Sequence, residues 1–183
     1  MTQPSPISGV TTIDRFLLTH LGVDQAALYA WTVANIPWDD RIQARKTASC
    51  GVPYNYAGLE YEAAPFPEPL EQVRSAIGCV LEFEANNCLL NYYPDGRARM
   101  GFHADSAMGL VEGSGVAIVS LGAPRTLRFR RTEQPDVRLD YPLVPGGLLF
   151  MEKRVQAEWQ HAVPRAGRVE GRISLTFRAV ELR

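Results

Sequence analysis

Cys88-Leu89-Leu90-Asn91-Tyr92-Tyr93-Pro94-Asp95-Gly96 marks the point where the chain changes period. Its first six residues are apolar, aromatic or amide in character and read as a strand, and Pro-Asp-Gly closes them with a turn. From here to the C-terminus short strand-like runs recur between turn residues, over residues 88–93, 115–121, 126–131, 137–143, 147–151, 160–164 and 172–180. Gly122-Ala123-Pro124 and Pro145-Gly146-Gly147 separate some of them, as hairpins of an antiparallel sandwich or barrel require. Residues 155–159 add a helical turn.

The stretch before Cys88 is different. Asp24 is placed to cap a helix over residues 25–35, where Ala27, Leu28, Trp31 and Ala34 recur at helical spacing before Pro37. Leu70, Val73 and Ile77 line one side of a second helix, with Gly78 as its stop. Residues 45–51 can form a strand, 52–58 an extended loop with two tyrosines on one face, and the proline-rich residues 63–69 a connector. Together these imply an α+β, mainly β fold: a double-stranded β-helix, or jelly roll, with N-terminal buttressing helices. Residues 1–12, with Pro4, Pro6 and Gly9, read as a flexible arm, and 13–183 as a single domain.

Composition narrows the function classes. The chain has 183 residues, 46% of them hydrophobic, enough to bury a core. A net charge of -1 does not mark a strongly basic nucleic-acid binder. Arg125, Arg128, Arg130 and Arg131 nevertheless lie close together, as do Arg165, Arg168 and Arg172. No window of 18 apolar residues or signal-like N-terminus is present, so no membrane association is expected. Three cysteines at spacings that suit neither a zinc ribbon nor a disulfide framework favour a reducing, cytoplasmic setting.

Beyond the opening strand comes Gly101-Phe102-His103-Ala104-Asp105-Ser106. In an extended segment alternate side chains share a face, so His103 and Asp105 can hold one metal. Only His20 and His161 remain as further imidazoles. His20 precedes Gly22 in a helical region, whereas His161 begins a strand in the β-rich half. Two imidazoles and a carboxylate on one face of an octahedron leave three positions open, the donor set of non-haem Fe(II) oxygenases. A turn aspartate and two half-buried histidines is the other reading of these three residues.

The last strand adds a second feature. Period two puts Arg172, Ser174, Thr176 and Arg178 on one face and Ile173, Leu175 and Phe177 on the other. Guanidinium forks match carboxylates, and Asn91 and Tyr93, which also share a face, can complete the hydrogen bonding of a diacid. An exposed sheet edge accounts for the arginines equally well.

Taken in order, Asn91-x-Tyr93-x-x-Gly96, His103-x-Asp105, His161 and Arg172 to Arg178 resemble the AlkB family of Fe(II)/2-oxoglutarate dioxygenases. The resemblance spans residues 45–178 and includes Pro53-Tyr54-x-Tyr56-x-Gly58, similar to the family's substrate-lid segment. It implies Fe(II) held by His103, Asp105 and His161, with O2 and the cosubstrate 2-oxoglutarate at the open positions. Arg172 and Tyr93 would grip the distal carboxylate of 2-oxoglutarate, Arg178 and Asn91 would contact the end near the metal, and Ser174 would help to hold the cosubstrate.

It further implies oxidative demethylation of N-alkylated nucleic-acid bases by a monomer, releasing formaldehyde, succinate and CO2. The substrate would be single-stranded or carry a flipped base, with Tyr54 and Tyr56 stacking on it and Arg45, Lys46 and the Arg125–Arg131 group on phosphates. One position departs: Ala107 stands where members acting on nucleic acids often carry a base-reading carboxylate, and Glu112 is the nearest substitute. The same chemistry on a protein side chain or small molecule, and a non-catalytic metal-binding jelly roll, are the competing expectations.

Overall fold

The computed structural model describes residues 5–105 and 109–181. In chain order the elements are β1 (Val10–Ile13), α1 (Phe16–Leu21), α2 (Gln25–Asn35), β2 (Lys46–Gly51), β3 (Tyr54–Tyr56), β4 (Leu59–Tyr61) and α3 (Glu68–Leu81). The β-rich half follows with β5 (Asn87–Tyr93), β6 (Met100–His103), β7 (Gly115–Gly122), β8 (Arg125–Arg131), β9 (Arg138–Leu143) and β10 (Leu148–Glu152). It ends with α4 (Val155–Glu158), β11 (Trp159–Val163) and β12 (Arg172–Arg178).

A six-stranded sheet runs β1-β10-β7-β12-β5-β2, a four-stranded sheet runs β6-β11-β8-β9, and β3 and β4 form a separate hairpin. Neighbouring strands are antiparallel throughout. This is the jelly roll expected from the strand spacing. The strand parity of β12 divides its surroundings. Ile173, Leu175 and Phe177 join a core with Phe16, Leu70, Val73 and Ile77 of the helices. The opposite face of the sheet packs on a second core that includes Tyr93, Ile118, Leu127, Phe129 and Val163. Full burial of a side chain such as Leu70 or Ile77 contributes about 1.5–3 kcal/mol, so α3 is held by its apolar stripe.

The helices differ from the sequence expectation at their edges. The Asp24 side chain accepts from the Ala26 N–H at 3.1 Å, capping α2 as expected, but Leu28 and Thr32 are its buried residues while Ala27 and Ala34 are exposed. In α3 Gly78 does not end the helix, which continues to Leu81 and stops at Glu82 in a left-handed conformation, φ 56°. It also begins earlier, because Pro69 sits in the first turn where no N–H donor is required.

Two further segments were not read as strands. Val10, Thr11 and Thr12, assigned to the arm, pair with Met151, Phe150 and Leu149 at the sheet edge. Residues 54–61 are a hairpin rather than a loop: Tyr54 faces Tyr61 and Tyr56 faces Leu59 across Ala57-Gly58. Both turn residues have positive φ, 51° and 78°, the two-residue turn whose twist suits a hairpin.

Candidate active site

β6 and β11 are paired so that His103 and His161 stand directly opposite. Sheet pairing thus supplies the neighbour that 58 residues of sequence separate. Asp105 follows β6 by two residues, and the ligand-capable atoms of His103, Asp105 and His161 all lie within 4.8 Å of one another. His103 Nδ1 is 3.0 Å from the Gly101 carbonyl oxygen, which can only accept, so Nδ1 carries the proton and Nε2 is left with its lone pair.

The electrostatics suit a cation. Burial, with the neighbouring His103, pushes the His161 pKa down to about 3, so the ring is neutral and able to donate a lone pair. Burial favours a protonated Asp105, but Arg178, His161 and His103 outweigh it and hold the carboxyl below its ordinary pKa. Arg178 Nη2 donates to Asp105 Oδ1 at 2.6 Å, while Asp105 Oδ2 and His161 Nδ1 are buried with no hydrogen-bond partner among the described residues. Buried polar atoms without partners are costly, and a metal ion in contact with the triad would satisfy the carboxylate oxygen.

The polar face of β12 is an interior surface, not an edge. All seven of its residues are buried, because β5 and β7 flank the strand on both sides. Asn91, Tyr93, Arg172, Ser174 and Arg178 line one cavity together with His103 and His161. Arg172 is fully buried, donates from Nη2 to Ser120 Oγ at 3.1 Å, and leaves Nε and Nη1 unpartnered among the described residues. Its guanidinium lies 5.2 Å from the centre of the Tyr93 ring, and the Arg125 guanidinium lies 5.6 Å from the same ring centre. Burial lowers the Arg172 pKa to about 10, which leaves it charged at neutral pH. A buried cation with two free donors calls for an anion, and a carboxylate fits the fork.

The space between these groups is about 20 Å³, room for roughly one water. Tyr56 is the lining residue that comes from the separate β3–β4 hairpin. Tyr54 and Tyr56 are stacked, ring centres 6.4 Å apart and planes 16° from parallel, and the Arg178 guanidinium lies 5.3 Å from the Tyr54 ring centre. The hairpin thus packs on the residue that grips the Asp105 carboxylate, and Tyr61 anchors it to β2 through Thr47 Oγ1 at 2.6 Å.

Some residues sit elsewhere than the sequence implies, and others at the site carry no sequence signal. Arg45, expected on phosphates, is buried: Nε donates to Asn91 Oδ1 at 2.7 Å and Nη2 to the Tyr56 hydroxyl. Arg125 is also buried, donating to the carbonyls of Ala98 and Pro164 at 2.9 and 2.6 Å. Glu112 is exposed and paired with Lys153 at 2.8 Å, and Ala107 lies outside the described residues. Gln156 of α4 was not anticipated: its Oε1 accepts the Asp105 N–H at 3.0 Å, tying the loop after β6 to the element that leads into His161. No one-dimensional signal distinguishes it from any other helix glutamine.

The model of the 2OG-Fe(II) oxygenase superfamily matches residues 27–178. The chain is 33% identical over 166 residues to "Alpha-ketoglutarate-dependent dioxygenase alkB homolog 3" of Mus musculus, covering 80% of this chain and 58% of that protein. It is 34% identical over 140 residues to "DNA oxidative demethylase ALKBH2" of Homo sapiens, covering 72% and 54% respectively. The solved structure of OsALKBH1 superposes with a TM-score of 0.71 at 17% identity, covering 96% of this chain and all of that one. The chain therefore belongs to the 2OG-Fe(II) oxygenase superfamily, whose cofactors are Fe(II), 2-oxoglutarate and O2, and it is similar to relatives named as AlkB homologues. It spans a little over half the length of these curated relatives.

Proposed function

We propose that this chain is an Fe(II)/2-oxoglutarate-dependent dioxygenase that removes methyl groups from alkylated nucleic-acid bases. The observation that carries the reading is the stacked Tyr54–Tyr56 pair against Arg178, an aromatic platform immediately beside the His-Asp-His cluster. A flipped or single-stranded base stacks on such a platform at about 1–3 kcal/mol per base. The relative named as a DNA oxidative demethylase supports this substrate class, and the one named as an alpha-ketoglutarate-dependent dioxygenase supports the chemistry.

In this reading His103, Asp105 and His161 hold the metal, whose bound form supplies the oxidising chemistry that hydroxylates the N-methyl carbon. The chain's own work is positioning. Arg178 and the Gln156 acceptor hold the Asp105 segment, so that Oδ2 faces the two imidazoles. Arg172, over Tyr93 and Ser120, takes the distal carboxylate of the cosubstrate, and Ser174 lies between the two arginines on the same face. Asn91, with Oδ1 occupied by Arg45, lines the same cavity and has its Nδ2 donors left for the cosubstrate. Proton loss from the hydroxymethyl product, with cleavage of its C–N bond, yields formaldehyde and the unmodified base.

The catalytic unit, expected at residues 13–183, also takes in β1 (Val10–Ile13), which pairs with β10 in the larger sheet, and it acts as a monomer. The thiols of Cys50, Cys79 and Cys88 are all free, which supports a cytoplasmic setting; among the described residues no helix is long and apolar enough to cross a membrane. Ala107 favours a second reading, the same centre acting on a protein side chain or small molecule. A mass-spectrometric screen of single- and double-stranded oligonucleotides carrying 1-methyladenine, 3-methylcytosine and other methyl lesions separates the two. Loss of 14 mass units (about one CH2, by the chemistry of the removed group) from at least one lesion is expected, and no loss from any lesion contradicts the first reading.

A further inference from the structure

Beside the active-site cavity, and separated from it by a shared wall, lies an open groove of about 420 Å³. Its lining includes Lys46, Arg97, Arg99 and Arg165 around a floor that contains Ala98, with Asp40 and Asp95 as the two carboxylates. The wall is Arg45, which lines the groove and at the same time bonds Asn91 and Tyr56 of the cavity.

The charge balance of the groove is uneven. Asp95 is engaged by Arg97 at 3.0 Å. Lys46, Arg99 and Arg165 are exposed and form no ion pair among the described residues. They come from three separate parts of the chain: edge strand β2, the segment before β6 and the loop after β11. Lysine on an edge strand also discourages aberrant strand pairing, which would explain Lys46 alone. It does not explain why Arg99 and Arg165 converge on the same groove.

The groove is also built rigidly from below. Arg125, buried beneath it, donates to the carbonyls of Asp95, Ala98 and Pro164, joining the loop that carries Arg97 and Arg99 to the loop that carries Arg165. The Arg99 N–H donates to the Ala44 carbonyl at 3.2 Å, and the Ala166 N–H to that of Gly96 at 2.9 Å. Unpaired cations held at set positions on preorganised backbone suit a repeating anion better than a flexible patch does.

The geometry points to this groove as the seat of the phosphodiester backbone of a single strand whose target base enters the adjoining cavity. The assignment rests on the nucleic-acid reading above and adds where the strand lies: along Lys46, Arg99 and Arg165, not along the β8 arginines. On β8, Arg128 is committed to Asp140 at 2.7 Å and Arg130 to Gln160 at 2.8 Å. The Arg45 wall makes a strand the favoured anion over a lipid surface, because the same residue contacts both compartments.

The test is fluorescence anisotropy of the full chain with a labelled unmethylated single-stranded oligonucleotide, across a series of NaCl concentrations. The variant Lys46→Ala/Arg99→Ala/Arg165→Ala is expected to bind at least about tenfold more weakly at low salt. Its slope of log affinity against log salt falls by about 2, since each phosphate contact on a single strand contributes about 0.7. The charge-preserving variant Lys46→Arg/Arg99→Lys/Arg165→Lys retains the wild-type slope, which separates lost contacts from lost folding. Arg128→Ala/Arg131→Ala, equal in sign but off the groove, changes the slope by less than half as much. Wild-type binding that persists unchanged in the triple alanine variant overturns the groove alone, as does an equal loss in the β8 variant. Absence of oligonucleotide binding by the wild type overturns the nucleic-acid reading and the groove with it.

Discussion

Arg178 and Asp105 form a charge-assisted hydrogen bond of 2.6 Å between side chains that are each only 3% exposed, and Arg178 comes from the central region of the larger sheet while Asp105 follows an edge strand of the smaller one. The pair therefore joins the two sheets at the metal cluster. Removing one partner of a buried ion pair strands the other, at about 3–5 kcal/mol. Arg178→Ala should lower the unfolding free energy of the metal-free protein by about that amount. Added Mn(II) should recover part of the loss, since a cation at Asp105 replaces the lost charge. Urea denaturation with and without metal measures both quantities.

Gln156 acts on the same ligand from its backbone. Gln156→Met keeps length and removes the acceptor of the Asp105 N–H. Partners that orient a metal ligand are typically worth 10–100-fold in affinity, so Mn(II) binding followed by electron paramagnetic resonance should weaken about tenfold. Gln156→Glu, which retains an acceptor, should bind closer to wild type. Equal losses in the two variants would mean that Gln156 only fills space.

The metal-free protein should lose stability in mild acid. The unfolded His161 takes up a proton near its ordinary pKa of 6.5, whereas the folded ring, depressed by burial and by His103, resists until about 3. The unfolded state therefore binds more protons across that window, and stability falls as the pH drops through it. Asp105, also depressed in the fold, adds to the loss at the acid end. Thermal melts between about pH 7 and pH 4 should show a falling midpoint, and a flat profile would contradict the burial of a neutral His161.

Tyr54 and Tyr56 should matter to substrate more than to metal. Each →Ala variant should weaken binding of a methylated oligonucleotide by about 1–3 kcal/mol while Mn(II) affinity stays near wild type. Unchanged oligonucleotide binding in both would remove the hairpin from the substrate site.

Period two in β12 and β5 reads directly off the residues, and it predicted which side chains share a face. Scarcity made the triad legible too, because only two other histidines could complete His103-x-Asp105. Burial of charge was not legible. Arg45 and Arg125 look like surface cations in one dimension, and only the folded chain shows them donating to Asn91 and to loop carbonyls. The β3–β4 hairpin was hidden because its turn uses Ala57 at φ 51° in place of the Asn or Asp usual there. The alternation of Tyr54, Tyr56, Leu59 and Tyr61 was the signal that could have revealed it. β1 and β6, four residues each, are too short for periodicity to separate from loop.

The proposed activity of this cluster of residues is the demethylation of nucleic-acid bases. Its most direct test is formaldehyde and succinate released together from a 1-methyladenine or 3-methylcytosine oligonucleotide with Fe(II), 2-oxoglutarate and O2. Both products are expected in about equal amounts from the wild type, and neither from His103→Ala or Asp105→Ala. Succinate without formaldehyde from every methylated oligonucleotide would contradict the substrate, and neither product under any condition would contradict the enzyme.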